Sequence, residues 1–534
     1  MAKTIDARSL LAELEAGEEL AFIDVRERGT FGKSHPILAA NIPLGKLEIE
    51  IGEKIPRRST PIVLEDAGGE GLAEEAASRL DGFGYTDVSI LDGGTKAWAD
   101  AGLELFSGLN VPSKAFGEFV EHAYGTPSVS ADELNEIMNS DQDMVVLDSR
   151  PIDEYSVMNI PTGVDVPGAE LVYRVGEVAP NPETLVVVNC AGRTRSIIGA
   201  QSLINAGIPN KVVALRNGTM GWHLAGHKLE HGQSKTAPAP SNDTLAKAKE
   251  NAAKVAKRFG VKSIDAATLN EWRAERESRS LAILDVRTIE EFTEKRIADA
   301  RHAPGGQLVQ GTDEYLPIRG ARVVLFDDQM VRAQMSASWL VQLGWKNVAV
   351  LESGFEGQET ASGRYMPTFL GLPEVGAVPA PSPAEVKVAL DADKAVLLDL
   401  TRSLDYRAAH PEGAWWAGRT DIAANLDKIP SDRQIIITCP GGVQARYAAQ
   451  DLANSGRDIA VMRGGNAAWK AEGLPLAGGM SAVLSEPADV YHRPYDREDK
   501  GEQEKAMNDY LTWEIELVEQ IKKEGGISFQ HFPA

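Results

Sequence analysis

The chain has 534 residues, 43% of them hydrophobic and 25% charged, the balance of an ordinary globular protein and, at roughly 150 residues per domain, material for about three or four domains. Its 78 acidic residues against 55 basic ones give a formal charge of −23, which repels phosphate backbones and anionic lipid and argues against nucleic-acid or membrane partners. Two cysteines, Cys190 and Cys439, are too few for a disulfide framework or a cysteine-rich zinc site.

The N-terminal stretch MAKTIDARSLLAELEAGEEL has no basic segment leading into an apolar one, so it is not read as a secretory signal. No apolar run reaches about 18 residues, the length needed for a membrane span. The expectation is a cytoplasmic chain with both thiols free.

Along the chain one phrase recurs, a β-branched run ending in Asp: AFIDVR at Asp24, VVLDSR at Asp148, AILDVR at Asp285 and VLLDLTR at Asp399. A second phrase, an apolar run ending in Gly, follows each at a near-constant distance: 70 residues to Gly94, 70 to Gly218, 69 to Gly354 and 66 to Gly465. Trp98, Trp222 and Trp469 each stand four residues past that glycine. Between the phrases lie a further apolar run (TPIVLE, ETLVVVN, ARVVLF, RQIIIT) and an alanine-rich helical stretch. Short apolar strands alternating with helices predict parallel sheets covered on both faces. The reading is therefore α/β, with four units at 1–110, 111–232, 261–372 and 373–479. A linker and helix fill 233–260, and a tail occupies 480–534. Met507, Tyr510, Leu511, Leu517, Val518 and Ile521 fall on a helical spacing, so the tail is expected to hold an amphipathic helix docked on the domains, with a partner-binding helix as the alternative.

Counting 42 residues from Asp148 lands on Cys190, and 40 from Asp399 lands on Cys439. The same 42 residues reach Asp327 from Asp285, and Asp66 from Asp24, although the helix after Asp66 fits better with a shift of one residue. Both thiols thus share one repeat position, after a strand and before a helix. There, N–H groups and the helix dipole converge and can stabilise a thiolate. Arg193 and Arg195 lie within five residues of Cys190, with Thr194 and Ser196 beside them. The Cys439 loop has Pro440, which lacks an N–H, and no arginine before Arg446. Asp66 and Asp327 read as helix-capping residues of structural units. The phrase-ending aspartates, with Arg26, Arg150 and Arg287, read as scaffold ion pairs or turn caps.

The Asp-Val-Arg strand end, the Cys loop before an alanine-rich helix and the Leu91–Trp98 ending resemble the rhodanese superfamily, and the four-copy layout resembles a four-domain thiosulfate sulfurtransferase. The resemblance implies four tandem domains, each with a small parallel sheet flanked by helices, in which those with Asp at the loop are inactive. It implies that Cys190 and Cys439 are catalytic, attacking the outer sulfur of thiosulfate, holding it as a persulfide and passing it to cyanide or a thiol. Arg193, Thr194, Arg195, Ser196 and Arg446 would bind substrate. No metal or organic cofactor is implied. The partners would be a small anionic sulfur donor and a thiophile acceptor, with a protein acceptor and a homodimer left open. The alternative function is a protein-to-protein persulfide carrier or scaffold with little small-molecule turnover. The C-x5-R loop of the superfamily's phosphatases and arsenate reductases is absent, since the spacings here are Cys190-x4-Arg195 and Cys439-x6-Arg446.

Three other signals are set aside. His223, His227 and His231 have a four-residue spacing interrupted by Gly226, and no HExxH motif occurs. Gly68-Gly69-Glu70-Gly71 lacks the dinucleotide fingerprint. Tyr491-His492-Arg493-Pro494-Tyr495 reads as packing, with the mouth of a site as the alternative.

Overall fold

Each phrase-ending aspartate closes a central strand: Leu20–Asp24, Met144–Asp148, Leu281–Asp285 and Ala395–Asp399. The next apolar runs form the neighbouring strands, Ile62–Glu65, Leu185–Asn189, Arg322–Phe326 and Gln434–Thr438. All four pairs are parallel and in the same register, with Asp24 opposite Glu65, Asp148 opposite Asn189, Asp285 opposite Phe326 and Asp399 opposite Thr438. The structure is a computed structural model and describes residues 3–524 and 527–533. It bears out the fold expected from the sequence: four α/β units whose parallel sheets are flanked by helices, followed by a tail helix, Lys500–Glu524. No helix among the described residues is long and apolar enough to cross a membrane.

The repeat is maintained by local chemistry. The first helix of every unit starts on a side-chain cap, at Asp6, Ser130, Asp265 and Ser382, each contributing about 1 kcal/mol. Arg26, Arg150 and Arg287 form close ion pairs with their own strand-end aspartates, at 2.5, 2.7 and 2.7 Å. Each guanidinium also donates to a carbonyl eight residues on, that of Ser34, Met158 or Lys295, so it ties the strand end to the following turn. In the fourth unit Thr401 takes this place, with its N–H and hydroxyl on Asp399 at 2.9 and 2.6 Å. Trp98, Trp222 and Trp469 are buried, and each indole N–H donates to the carbonyl six residues on.

Because Arg150 and Asp148 are both only 1% exposed, removing one partner leaves an uncompensated buried charge. Arg150→Ala is expected to cost the second unit about 3–5 kcal/mol. A urea melt followed by near-UV circular dichroism reads this as a fall in midpoint, and an unchanged midpoint would contradict it.

The units pair out of chain order. The second meets the third, where Gly168 and Gly306 approach so closely that a Cβ on Gly306 would lie 2.9 Å from the Gly168 nitrogen. In the same interface Arg332 bonds Glu170 at 3.0 Å and the Trp339 indole donates to Ser202 at 2.9 Å. The first meets the fourth through buried Arg419, which bonds Glu48 at 2.7 and 3.0 Å. Ile318–Arg319 of the third unit adds an antiparallel edge to the first unit's sheet. The helix Val111–Tyr124 and the tail helix lie against each other, and the tail helix packs both on Ile37 and Phe106 of the first unit and on Ala191 and Met220 of the second.

Candidate active sites

The shared register fixes the loop position: Asp66, Cys190, Asp327 and Cys439 are each the first residue past the second strand. The doubtful count to Asp66 is thereby settled in its favour. In three units the second-phrase glycine explains itself here. Gly94, Gly218 and Gly465 have φ of 58°, 53° and 62°, and a Cβ on them would stand 2.2–2.4 Å from the carbonyl oxygen of Asp66, Cys190 or Cys439. The residue after each glycine donates its N–H to that same carbonyl, at 2.9, 2.8 and 3.0 Å. The close approach locks the loop's first residue in place.

Where the loop carries Asp, the carboxylate fills the cradle itself. Asp66 accepts from the N–H groups of Gly68, Leu72 and Ala73 at 2.7–3.2 Å. Asp327 accepts from Gln329, Met330 and Ala333. These are the contacts of a helix cap.

Where the loop carries Cys, the two sites differ. Cys439 is 2% exposed, and the N–H groups of Ala445, Gly442, Gln444 and Gly441 face its sulfur. Pro440 and Gly441, on the loop's rim, are exposed. Burial pushes the Cys439 thiol above its ordinary value, and the four N–H groups oppose that rise. Arg446 lies inside the following helix, Val443–Asp451, with its Nε buried and lacking a hydrogen bond among the described residues.

Cys190 is also 2% exposed, and its sulfur lies 3.5 Å from the Ser196 hydroxyl, which donates to the Arg193 carbonyl at 2.7 Å. Burial again pushes this thiol up, opposed by the Arg195 charge and by Ser196, and reinforced by the Glu514 carboxylate. The N–H groups and helix dipole that can stabilise a thiolate there do not bring either thiol below its ordinary value, because desolvation outweighs them. Arg195 makes a bidentate pair with Glu154 at 3.0 and 2.8 Å. Against burial, which would raise it, Arg195 holds the Glu154 carboxyl down to about 2. The same pair recurs in the third unit as Arg332–Glu291, beside an aspartate, so its first role is to anchor the loop.

Arg193 departs from its expected role. Its guanidinium is committed to Glu118 at 2.6 and 2.7 Å, to Glu121 at 2.5 Å and to Asn217 at 3.2 Å. It clamps the helix Val111–Tyr124 onto the loop, which leaves Arg195 as the arginine acting on the sulfur. Thr194 likewise gives its hydroxyl to Glu514 of the tail helix, at 3.2 Å.

The tail supplies what the sequence did not reveal. Met507 and Leu511, with Tyr495 and Tyr510 beside them, pack on Ala191 and Met220 over the Cys190 loop. Glu514 is 2% exposed, and its Oε1 accepts from Thr194 and Tyr510. Burial pushes its carboxyl up. Lys114, buried over the rings of Tyr510 and Trp513, is pushed down to about 8. The three histidines do not converge as a metal site: His227 bonds Asp132, His231 bonds the Val157 carbonyl, and His223 Nε2 has no hydrogen bond among the described residues and lies 3.9 Å from Glu504.

A family model described as the Rhodanese-like domain matches residues 6–101, 130–225, 267–361 and 382–472. The crystal structure of a thiosulfate sulfurtransferase from Pseudomonas aeruginosa superposes with a TM-score of 0.94, covering 99% of this chain and 100% of its own, at 46% identity. Thiosulfate sulfurtransferase GlpE of Actinobacillus pleuropneumoniae is 28% identical over 96 residues, 18% of this chain and 89% of that protein. The putative sulfur carrier protein YrkF of Bacillus subtilis is 29% identical over 102 residues, 19% of this chain and 54% of that protein.

Proposed function

The chain belongs to the rhodanese family of sulfurtransferases, and from that premise we propose that it moves the sulfane sulfur of thiosulfate to cyanide or a thiol through persulfides on Cys190 and Cys439. The observation that carries this reading is positional: both thiols occupy the one loop position that the other two units fill with a helix-capping carboxylate. An anion suits that position, whether carboxylate, thiolate or persulfide.

In the first half-reaction the cysteine thiolate attacks the outer sulfur of thiosulfate. The new S–S bond forms as the bond to the sulfonate sulfur breaks, and sulfite leaves with that electron pair. In the second, cyanide attacks the outer sulfur of the persulfide, thiocyanate departs and the cysteine thiolate returns. At Cys439 the N–H groups of Gly441, Gly442, Gln444 and Ala445 hold the charge on sulfur. At Cys190 the Arg195 charge and Ser196 do so. As the thiol ionises, the Ser196 hydroxyl must turn from the Arg193 carbonyl to donate to the sulfur. Sulfite and thiocyanate released in a thiosulfate–cyanide assay test the reading directly. Absence of both products over many enzyme equivalents would sink it.

The pH dependence follows from the raised thiol pKa values. The thiolate is the nucleophile, and both thiols lie above the ordinary 9.0, so the reactive fraction is small at neutrality and grows with pH. Single-turnover persulfide formation at limiting thiosulfate is expected to rise about tenfold per pH unit between about pH 7 and about pH 9. A plateau beginning below pH 8 would contradict burial as the dominant influence on these thiols.

A further inference from the structure

The rims of the two thiol loops can be compared at three matched positions. Around Cys190 these are Ala191, Gly192 and Met220, and all three are buried. Around Cys439 their counterparts are Pro440, Gly441 and Ala467, which stands two residues past Gly465 as Met220 stands past Gly218, and all three are exposed. The aspartate loops also have exposed rim residues, Gly68 in the first unit and Asp328 in the third. One of the four loops is therefore roofed, and it is one that bears a thiol.

The roof is the tail helix. A Cβ on Gly192 would stand 3.0 Å from Glu514 Oε2, 3.4 Å from the Tyr510 ring and 3.7 Å from Leu511, so the helix rests directly on the loop. Met507 and Leu511 close over Ala191 and Met220, and Glu514 accepts from the Thr194 hydroxyl at 3.2 Å. The helix is also held from behind. Lys114 lies over the Tyr510 and Trp513 rings, 5.0 and 4.9 Å from their centroids, and a Cβ on Gly108 would stand 2.5 Å from the Trp513 ring. The segment that joins the first two units is thus shaped to seat the roof. The tail lies beyond the last family match, which ends at residue 472, so the roof is an addition to the repeated domains.

The difference bears on the second half-reaction. Attack on the outer sulfur of a persulfide comes in line with the S–S bond, from the side facing away from the cysteine sulfur. A cysteine side chain is short, so a thiol borne on a folded protein arrives there when its own backbone is laid against the loop's rim. At Cys439 the residues Pro440, Gly441 and Ala467 put no long side chain in the way. At Cys190 the tail helix occupies that place, and small reactants have the cavity at its edge, lined by Thr219, Met220 and Met507. We infer that the tail helix sorts sulfur acceptors by size: Cys190 exchanges sulfur with small molecules and excludes a protein thiol, which Cys439 admits. The inference rests on both cysteines carrying persulfides. At Cys439 the partner's thiolate, its proton lost to solvent, attacks the outer sulfur. The S–S bond breaks, its electron pair returns to Cys439 as thiolate, and the partner leaves with the persulfide. At Cys190 the same step requires the roof to lift.

The test uses two full-length chains with one thiol each, Cys439→Ser and Cys190→Ser. Each is alkylated with N-ethylmaleimide and with a maleimide carried on a long polyethylene glycol chain. The rate ratio of bulky to small reagent is expected to be about tenfold or more lower at Cys190 than at Cys439. Tyr510→Ala with Leu511→Ala takes two side chains out of the roof and should raise the Cys190 ratio toward that of Cys439, with circular dichroism as the control for folding. After loading with thiosulfate, discharge by ubiquitin bearing one engineered surface cysteine, set against discharge by cyanide, should show the same order. Equal alkylation ratios in the two parent chains would overturn the inference whether or not the roof variant folds. A low Cys190 ratio that the folded variant leaves unmoved would overturn it as well. Absence of sulfur uptake would overturn the transfer reading and the inference with it, an outcome that the alkylation rates keep separate from a missing roof.

Discussion

Serine at both Cys190 and Cys439 is expected to stop sulfur transfer, lowering kcat with thiosulfate and cyanide by about 10⁴-fold or more. The expectation is severe because these are the chain's only two thiols, and a hydroxyl at the same place is far too weak an acid to supply the nucleophile. The substitution exchanges sulfur for oxygen in a side chain of similar shape, so the fold should be retained, and circular dichroism provides that control. Each single variant is expected to keep the turnover of the other site. The two sites should also be distinguishable by donor charge. Cys190 leans on the Arg195 guanidinium, whereas Cys439 leans on neutral N–H groups, so salt should slow the Cys439→Ser chain more than the Cys190→Ser chain. Full turnover in the doubly substituted chain would refute covalent catalysis through cysteine.

The next largest effect is expected from a single methyl group. A Cβ on Gly465 would stand 2.2 Å from the Cys439 carbonyl oxygen and 2.8 Å from the Gly442 nitrogen. On Gly218 it would stand 2.4 Å from the Cys190 carbonyl oxygen and 2.7 Å from that of Gly192. Both glycines also have positive φ. Strain and overpacking together should cost about 2–5 kcal/mol in each affected unit, and the cost falls on the loop that holds the sulfur. Gly465→Ala should therefore abolish persulfide on Cys439 and spare Cys190, and Gly218→Ala should do the reverse. Gly354 is the control. It has the same backbone conformation, with φ of 58°, but no atom within 4 Å of its Cβ position, so Gly354→Ala should show only the strain, about 1–2 kcal/mol. Peptide mass mapping after thiosulfate treatment, together with thermal unfolding, reads all three. A normal persulfide yield at the cysteine next to either alanine would show that the close approach does not govern the loop.

The fold was legible in the sequence because its repeat is enforced locally. The strand-end Asp and the Arg two residues later bond to each other, so they appear as a motif. The near-constant 42 residues to the loop reflect a strand–helix–strand path that each unit traverses the same way. The position of the two thiols followed from that count. What surrounds them did not, because it comes from distant parts of the chain. Glu118 and Glu121 reach Arg193 from an adjoining helix, and Glu514 reaches Thr194 across 320 residues. Nothing in the Cys190-Ala-Gly-Arg-Thr-Arg-Ser loop announces that one of its arginines is already paired with two carboxylates. Glu154 had a signal that could have been found, since it and Glu291 each stand four residues past the motif arginine, and Arg195 and Arg332 each stand five past the loop residue. The tail helix could be read from its apolar spacing, and four of the six positions named, Met507, Leu511, Leu517 and Ile521, are buried. Its seat over the Cys190 loop could not, because an amphipathic pattern shows that a face is covered without showing what covers it.

Pairing of the second unit with the third, and of the first with the fourth, gives each thiol-bearing unit a neighbour whose loop is sealed by its own aspartate. The aspartate units thus have an evident structural task. Arg332, the third unit's counterpart of Arg195, is fully buried and bonds both its own Glu291 and Glu170 of the second unit. A loop that carries no thiol can devote its arginine to the interface.

Whether both cysteines carry sulfur is read by mass mapping of the intact chain after brief treatment with thiosulfate, followed by digestion under conditions that preserve persulfides. A gain of one sulfur atom is expected on the Cys190 peptide and on the Cys439 peptide, each reversed by cyanide. Sustained production of sulfite and thiocyanate with no added sulfur on either peptide would contradict it.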